Sequence, residues 1–344
     1  MSRTAFERVR DVRRWIEAAR AVYADRSRHA APIAASTGLS LEGVDLGFES
    51  LERDATDEEL LALVATAGDA QSVHVILSAN VFVAPLRAIA IARAASDRVT
   101  VRPSSRDPTL ARALVTAAGD PSVSLALGRD APAGTDRIDV YGHDETIAEV
   151  RSRAPRGVVV RGHGAGLGVA FVAQGHAIDP AATALAADVV PFDQRGCLSP
   201  RVVFVEGPAS HGEAFARALH ASLTASGVCV PRGQPSPEER SEGVRWRETL
   251  AFAGQVWAGA DHVVALAVSG MPLAVPPTGR HVLVVPVDTP AAVRTILAPA
   301  APFVVTVGGR PREAGAIAPP HARIALLGRM QHPPLDGPVD RRSL

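Results

Sequence analysis

The chain has 344 residues, of which 47% are hydrophobic and 21% are charged, with 36 basic and 36 acidic side chains and a formal net charge of zero. This length fits two domains of ordinary size better than one small core. The balanced charge gives no field that attracts nucleic acids or acidic membranes, so neither is an expected partner. Every basic side chain is an arginine, and this excludes Schiff-base chemistry on lysine.

The N-terminal part of the chain, residues 1–70, is predicted to be helical. It opens with a charged amphipathic pattern that lacks the apolar core of a signal peptide. No later stretch reaches the roughly 18 to 20 uncharged apolar residues of a membrane span. We therefore expect a cytoplasmic protein.

Short β-branched runs alternate with alanine-rich helical patterns from Val73 onward, which is typical of βαβ units on parallel sheets. Helix starts are predicted where a capping side chain precedes proline. The predicted starts are Asp107-Pro108, Asp179-Pro180 and Thr289-Pro290.

The pattern predicts four regions. Residues 1–70 form a helical segment, residues 71–160 a Rossmann-like cofactor-binding domain, residues 161–320 a catalytic cysteine domain, and residues 321–344 a C-terminal strand and tail. Two polar or proline-rich stretches, Pro231–Gly243 and the tail from Pro333, are interpreted as surface segments.

The two cysteines have different surroundings. Cys197 stands in the polar segment DQRGCLSP, whereas Cys229 stands in the apolar, strand-like run GVCVP and is interpreted as core. These settings indicate a reduced protein in which Cys197 is the candidate thiolate nucleophile.

No GxGxxG sequence follows the first predicted strand, so the usual dinucleotide fingerprint is missing. Four segments between Val73 and Met330 nevertheless resemble the aldehyde dehydrogenase superfamily, and more narrowly its LuxC-type acyl-CoA reductases. The most specific one is the DQ-x-x-C-x-SP string around Cys197. The resemblance implies an α/β, aldehyde dehydrogenase-like fold with a Rossmann-like cofactor domain and a catalytic domain with a parallel sheet.

The resemblance also implies further catalytic residues. Asn80, in LSANVFVAP, matches an asparagine that contributes to an oxyanion hole. The segment VVVRGHGAGLGVAF falls where aldehyde dehydrogenases carry a water-activating glutamate, but its register offers Arg161, Gly162 and His163 instead. A reductase needs an acyl-enzyme that water does not hydrolyse, and His163 is a candidate to donate a proton or polarise the thioester.

The cofactor residues implied by the resemblance follow two strands. Arg102 stands where the family has a ribose-binding lysine, and Ser104 and Ser105 follow Pro103 where many NAD-specific relatives have a glutamate. Small hydroxyls beside arginine suit a 2′-phosphate, so NADPH is expected rather than NADH. Gly142 and His143 match the helix start near the cofactor pyrophosphate.

The sequence thus predicts NADPH-dependent reduction of an acyl-CoA or acyl-carrier thioester to an aldehyde through an acyl-Cys197 intermediate. Two alternatives stay open. One is a CoA-acylating aldehyde dehydrogenase that uses NAD, and the other is a non-catalytic homologue that binds acyl chains or a partner, which the departures at Arg102 and Pro276 suggest. No metal site is expected, and homo-oligomerisation is left open.

Overall fold

The computed structural model describes residues 3–52, 54–126, 128 and 130–342. The chain divides into two compact units. The first comprises Val44–Ala165, the N-terminal segment through Thr37 and the C-terminal segment from Pro334. The second comprises Gly166–Pro333 together with Gly38–Gly43. Among the described residues, no helix is both long enough and apolar enough to cross a membrane.

After four opening helices, the elements up to residue 163 alternate between strand and helix, except that β4 follows β3 directly. They are α1 (Ala5–Ala24), α2 (Arg26–Thr37), α3 (Leu41–Phe48), α4 (Asp57–Ala67), β1 (Val73–Ile76), α5 (Ala84–Ala95), β2 (Val99–Arg102), α6 (Thr109–Ala118), β3 (Val123–Leu125), β4 (Arg137–Tyr141), α7 (Asp144–Arg153) and β5 (Val159–His163).

The first helix shows how the sequence sets these elements. Thr4 and Glu7 form a capping box that satisfies free N–H groups at the start of α1. Its buried side chains recur at helical spacing, and the largest of them, Trp15, is fully buried. This face packs α1 against α5 and α6 in the first unit.

The first unit contains a five-stranded parallel sheet in the order β3-β2-β1-β4-β5. The central strand, β1, is buried at all four positions, as expected when both faces of a parallel sheet are covered. The strand order reverses between β1 and β4. In open α/β sheets this switch point, at the carboxyl ends of the strands, is where ligands bind.

The second unit also combines strands and helices, with two successive helices and three successive strands in its middle. Its elements are β6 (Leu167–Val172), α8 (Ile178–Val189), β7 (Pro200–Glu206), α9 (Ala209–Cys229), α10 (Pro237–Ala253), β8 (Gln255–Ala258), β9 (Val263–Leu266), β10 (His281–Val287), α11 (Pro290–Leu297), β11 (Val304–Gly308), α12 (Pro311–Gly315) and β12 (Arg323–Ala325).

These strands form one seven-stranded sheet in the order β12-β11-β6-β7-β10-β9-β8. All neighbours are parallel except β8, which pairs with β9 in the antiparallel direction at the sheet edge. The sheet and the helices against it enclose an apolar core in which Phe171 and Phe204 are central. The predicted α/β fold with parallel sheets is confirmed, with β8 as the exception.

In the second unit the stretch Pro231–Gly243 lies at the surface as predicted, whereas the prediction that Cys229 belongs to the core is wrong. Part of the predicted surface stretch Pro231–Gly243 is the start of α10, where Ser236 and Glu239 form a capping box and Pro237 takes the first helical position. Cys229 is the last residue of α9 and is exposed, because the alanine-rich helix extends through the short valine run and ends before Pro231.

The proline-based helix starts have mixed outcomes. Thr289 caps α11 through a hydrogen bond from the Ala292 N–H, so that prediction is confirmed. The Asp179-Pro180 pair instead lies inside the first turn of α8, which begins at Ile178. The Asp107-Pro108 pair precedes α6, whose N-cap is Pro108. The C-terminal tail is only partly a surface segment, because Leu335 is buried.

Three buried histidines make stability depend on pH. Burial lowers the pKa of His74, His262 and His281 from 6.5 to about 4. Below pH 6.5 the unfolded chain therefore binds protons that the folded chain does not bind. The stability that depends on these three neutral histidines is complete above pH 6.5 and is lost as the pH is lowered towards 4.

We expect His74→Gln to make this loss of stability shallower. Each histidine lowers the free energy of unfolding by up to about 3 kcal/mol at pH 4, since one pKa unit corresponds to about 1.4 kcal/mol. Urea unfolding at several pH values measures the slope. His143→Gln is the matched control, because that imidazole is exposed. Identical slopes for the wild type and His74→Gln would contradict the assignment.

Candidate active site

Seven of the eight predicted site residues follow strands of the first sheet. Because these strands are parallel, their carboxyl ends lie at one edge of the sheet, on both sides of the switch between β1 and β4. Cys197, the eighth residue, belongs to the second unit. The seven are Asn80 after β1, Arg102, Ser104 and Ser105 at and after β2, Gly142 and His143 after β4, and His163 at the end of β5.

Asn80 lies in the turn between β1 and α5 and is partly buried. The ends of β1 and β2 are held side by side, because the Leu77 N–H donates to the Arg102 carbonyl over 3.0 Å. After β2 the chain turns sharply, and the Arg106 N–H donates to the Ser104 hydroxyl over 3.2 Å. Ser105 is exposed in this turn.

Gly142 and His143 connect β4 to α7. The Gly142 N–H donates to the His163 carbonyl over 3.2 Å, which ties the ends of β4 and β5 together. His143 is the N-cap of α7, but its exposed side chain makes no capping hydrogen bond. The acidic residues Asp144 and Glu145 stand in the first turn, where their carboxylates interact favourably with the positive end of the helix dipole.

The imidazole of His163 is held against Tyr141, with stacked rings whose centroids are 4.5 Å apart. Its Nδ1 atom is buried and has no hydrogen-bond partner among the described residues. Burial lowers the pKa of His163 below its usual 6.5, although the carboxylate of Asp139 acts in the opposite direction. At neutral pH the ring is therefore uncharged, with one N–H donor and one acceptor.

A carboxylate lies beside the loop after β5, although the sequence of that segment contains none. The Asp144 Oδ1 atom accepts a hydrogen bond from the Ala165 N–H over 3.2 Å. A Cβ atom on Gly164 would lie 1.9 Å from the same oxygen, so a larger residue there would have to displace this carboxylate. The sequence could not place Asp144 at this loop, because α7 is separated from the loop by all of β5.

Cys197 follows a strained turn in the second unit. The chain between α8 and β7 contains a short 3-10 helix, and Phe192, Asp193 and Gln194 have φ values of 57°, 49° and 65°. Side chains other than glycine rarely adopt this left-handed conformation, which costs of the order of 1 to 3 kcal/mol per residue. Such a turn persists only where surrounding contacts enforce it.

An ion pair enforces the turn at Asp193. The carboxylate of Asp193 and the guanidinium of Arg280 are both buried and lie 2.8 Å apart. The Gly233 N–H donates to the second carboxylate oxygen over 3.0 Å, and the Gly279 N–H donates to the Asp193 carbonyl over the same distance. Burial lowers the pKa of Arg280, an effect that the neighbouring Asp193 carboxylate opposes.

Gln194 fixes the next position of the turn. Its side-chain amide donates to the carbonyls of Pro200 and His281 and accepts from the His281 N–H, each over 2.8 Å. All three bonds are buried. Asp193 and Gln194 of the DQRGCLSP segment are therefore anchors for the cysteine turn, and their contacts come from Pro200, Gly233 and residues 279–281.

The turn then presents Cys197 in a partly buried position. The Ser199 N–H donates to the Gly196 carbonyl over 3.1 Å, which closes the chain around the cysteine. A Cβ atom on Gly166 would lie 2.7 Å from the Cys197 Cβ atom, so the glycine-rich segment before β6 packs directly against it.

Two arginines beside Cys197 tie the turn to other segments. Arg195 forms hydrogen bonds of 2.8 and 3.1 Å with both carboxylate oxygens of Glu239 on α10. Arg201 donates to the carbonyls of Pro276 and Gly166 over 3.1 and 3.3 Å. The role of Arg201 could not be predicted from the sequence, because an arginine at the start of a strand gives no sign that its guanidinium binds two distant carbonyls.

We expect Asp193→Asn to destabilise the protein strongly. The asparagine leaves the buried charge of Arg280 without its counterion, and breaking a buried pair in this way costs about 3 to 5 kcal/mol. The free energy of unfolding in urea measures the loss. Asp288→Asn, at an exposed position, is the control. A loss below about 1 kcal/mol, the range of a surface pair, would contradict the role given to Asp193.

Solved structures with a similar fold are aldehyde dehydrogenases. The NAD-dependent benzaldehyde dehydrogenase of Corynebacterium glutamicum superimposes with a TM-score of 0.67 at 17% identity, over 96% of this chain and 84% of that one. The lactaldehyde dehydrogenase of Escherichia coli gives 0.67 at 16% identity, over 93% and 78%. The indole-3-acetaldehyde dehydrogenase of P. syringae, in complex with NAD+, gives 0.67 at 13% identity, over 93% and 76%.

At these identities the likeness establishes the fold, and the predicted aldehyde dehydrogenase-like fold is confirmed. No curated protein matches the sequence. The model of one protein family, described as acyl-CoA reductase (LuxC), matches residues 54–333. Because this match covers most of the sequence, the chain belongs to the acyl-CoA reductase (LuxC) family and is an oxidoreductase.

Proposed function

We propose that this oxidoreductase reduces an acyl-CoA or acyl-carrier thioester to an aldehyde, with Cys197 as the nucleophile and NADPH as the cofactor. The observation that carries the proposal is the anchored turn at Cys197. Strained backbone that is enforced by buried charges is a feature of functional sites. Here it places a partly exposed thiol directly before a central strand of the second sheet.

In the first step, the thiolate of Cys197 adds to the thioester carbonyl. The carbon–sulfur bond to the carrier then breaks, the carrier thiolate leaves and takes up a proton, and the acyl group remains on Cys197. The negative oxygen that forms during addition needs hydrogen-bond donors. We assign this role to the side-chain amide of Asn80 and to backbone N–H groups of the cysteine turn.

The residues at the carboxyl edge of the first sheet fit a phosphorylated dinucleotide. Residues 102–106 contain two arginines, two serines and no carboxylate, so a 2′-phosphate meets positive charge and hydroxyl donors there. Gly142 and His143 would face the pyrophosphate at the start of α7. Two of the solved aldehyde dehydrogenases are described with NAD, which supports a nicotinamide dinucleotide in general.

When bound, NADPH supplies the hydride that reduces the acyl group. The carbonyl carbon on Cys197 then carries a hydrogen, the carbon–sulfur bond breaks, and the aldehyde leaves while the thiolate is restored. We assign to the uncharged imidazole of His163 the polarisation of the reacting carbonyl through its N–H donor. The strand β5 and the loop after it carry no carboxylate of their own, and the Asp144 carboxylate beside that loop accepts a hydrogen bond from the Ala165 N–H. We therefore expect the acyl-enzyme to wait for hydride rather than react with water.

We expect NADPH oxidation with at least one of a series of acyl-CoAs of increasing chain length, and slower oxidation of NADH. Cys197→Ala should lower the rate by about 10³-fold or more, since the covalent intermediate is lost. Cys229→Ala is the matched control, because this second cysteine lies at the exposed end of α9 and should keep full activity. Absorbance at 340 nm follows the oxidation of NADPH or NADH by the wild type and by each variant.

Two results would contradict the proposal. If Cys197→Ala kept wild-type activity, the covalent route would be wrong. If no acyl-CoA oxidised NADPH while aldehyde plus CoA readily reduced NAD, the enzyme would be a CoA-acylating aldehyde dehydrogenase instead.

A further inference from the structure

The far end of the cysteine turn is held by a side chain from the C-terminal part of the second unit. The Nε2 atom of Gln331 donates to the Ser199 hydroxyl over 3.1 Å and to the Asp188 carbonyl over 2.9 Å. One amide nitrogen carries two hydrogens, so it can make both bonds at once. Ser199 is 1% exposed and stands two residues after Cys197.

Gln331 is itself held in place by Asp188. The buried carboxylate of Asp188, near the end of α8, accepts hydrogen bonds from the Gly328 N–H over 2.6 Å and from the Met330 N–H over 2.9 Å. Burial raises the pKa of Asp188 to about 7, against the opposing effect of these bonds. Several hydrogen bonds therefore hold the segment Gly328–Gln331 against α8, and they fix the backbone position from which the Gln331 side chain extends to the turn.

We propose that Gln331 is a positioning residue for Cys197. Asp193 and Gln194 fix the turn before the cysteine, and Gln331 fixes it after the cysteine through Ser199. Without the Gln331 contact this end of the turn is held less firmly, and the thiol spends less time in the orientation that its reaction requires. The inference rests on the proposed role of Cys197 as the nucleophile and adds a residue that acts on it from 134 positions along the chain.

The test uses iodoacetamide as the probe and follows alkylation of each cysteine by peptide mass spectrometry between pH 6 and 10. Exposed Cys229 is the internal reference in every sample. The variants are Gln331→Ala, Ser199→Ala and the double variant. Arg329→Ala is the control, since this side chain is exposed in the same string. Gln331→Met, which keeps the length of the side chain without its donors, replaces Gln331→Ala if the latter fails to fold.

We expect Gln331→Ala and Ser199→Ala each to lower the ratio of the Cys197 rate to the Cys229 rate about fivefold at pH 7, the size of one lost hydrogen bond. The pH midpoint of the Cys197 reaction should differ between Gln331→Ala and the wild type, because the surroundings of the thiolate change. The double variant should be no slower than the single variants, because both remove the same contact. Arg329→Ala should match the wild type.

The proposal is overturned if the ratio in Gln331→Ala stays within about twofold of the wild type or rises, because Gln331 would then only add stability. It is also overturned if the effects of the two single variants multiply in the double variant. Alkylation does not depend on turnover. A wild-type protein that reacts with iodoacetamide but with no acyl-CoA would therefore contradict the proposed function and leave this result standing.

Discussion

The buried ion pair between Asp193 and Arg280 is the contact on which the presentation of Cys197 depends. Three consecutive residues with positive φ would relax to an ordinary turn if nothing opposed them. Arg280 cannot lose its charge, and burial makes that charge costly unless Asp193 stays beside it. The stabilisation that the ion pair provides therefore offsets the backbone strain of the turn. The thiol follows at a fixed place, four residues after the carboxylate.

The first unit brings together polar groups from distant parts of the sequence. Its five parallel strands all end at one edge, and the switch in strand order separates the loops that follow β1 and β4. A half-buried arginine, two serines and the start of α7 lie at this edge because the strands run in the same direction. The uncharged state of His163 has the same origin, since its position at the end of β5 buries one ring nitrogen.

The sequence predicted the parts of the molecule that local pattern determines. Most of the strands from Val73 onward, the α/β class and the family followed from alternation and from the DQ-x-x-C-x-SP string. Contacts between distant residues could not be predicted in this way. The anchoring role of Asp193 depends on Arg280, which is 87 residues away. The strand predicted around Cys229 was wrong, because three apolar residues are equally compatible with the end of the helix that precedes them. No feature of the sequence pointed to Gln331.

The central claim is that the acyl group stays on Cys197 until hydride arrives. Its most direct measurement is to load the protein with an acyl-CoA in the absence of nucleotide, isolate it, and follow the mass of the Cys197 peptide in buffer alone and after addition of NADPH. We predict an adduct that persists in buffer far longer than one turnover, and that NADPH converts to free aldehyde and unmodified cysteine. An adduct that water releases as free acid at the same rate with and without NADPH would contradict the account.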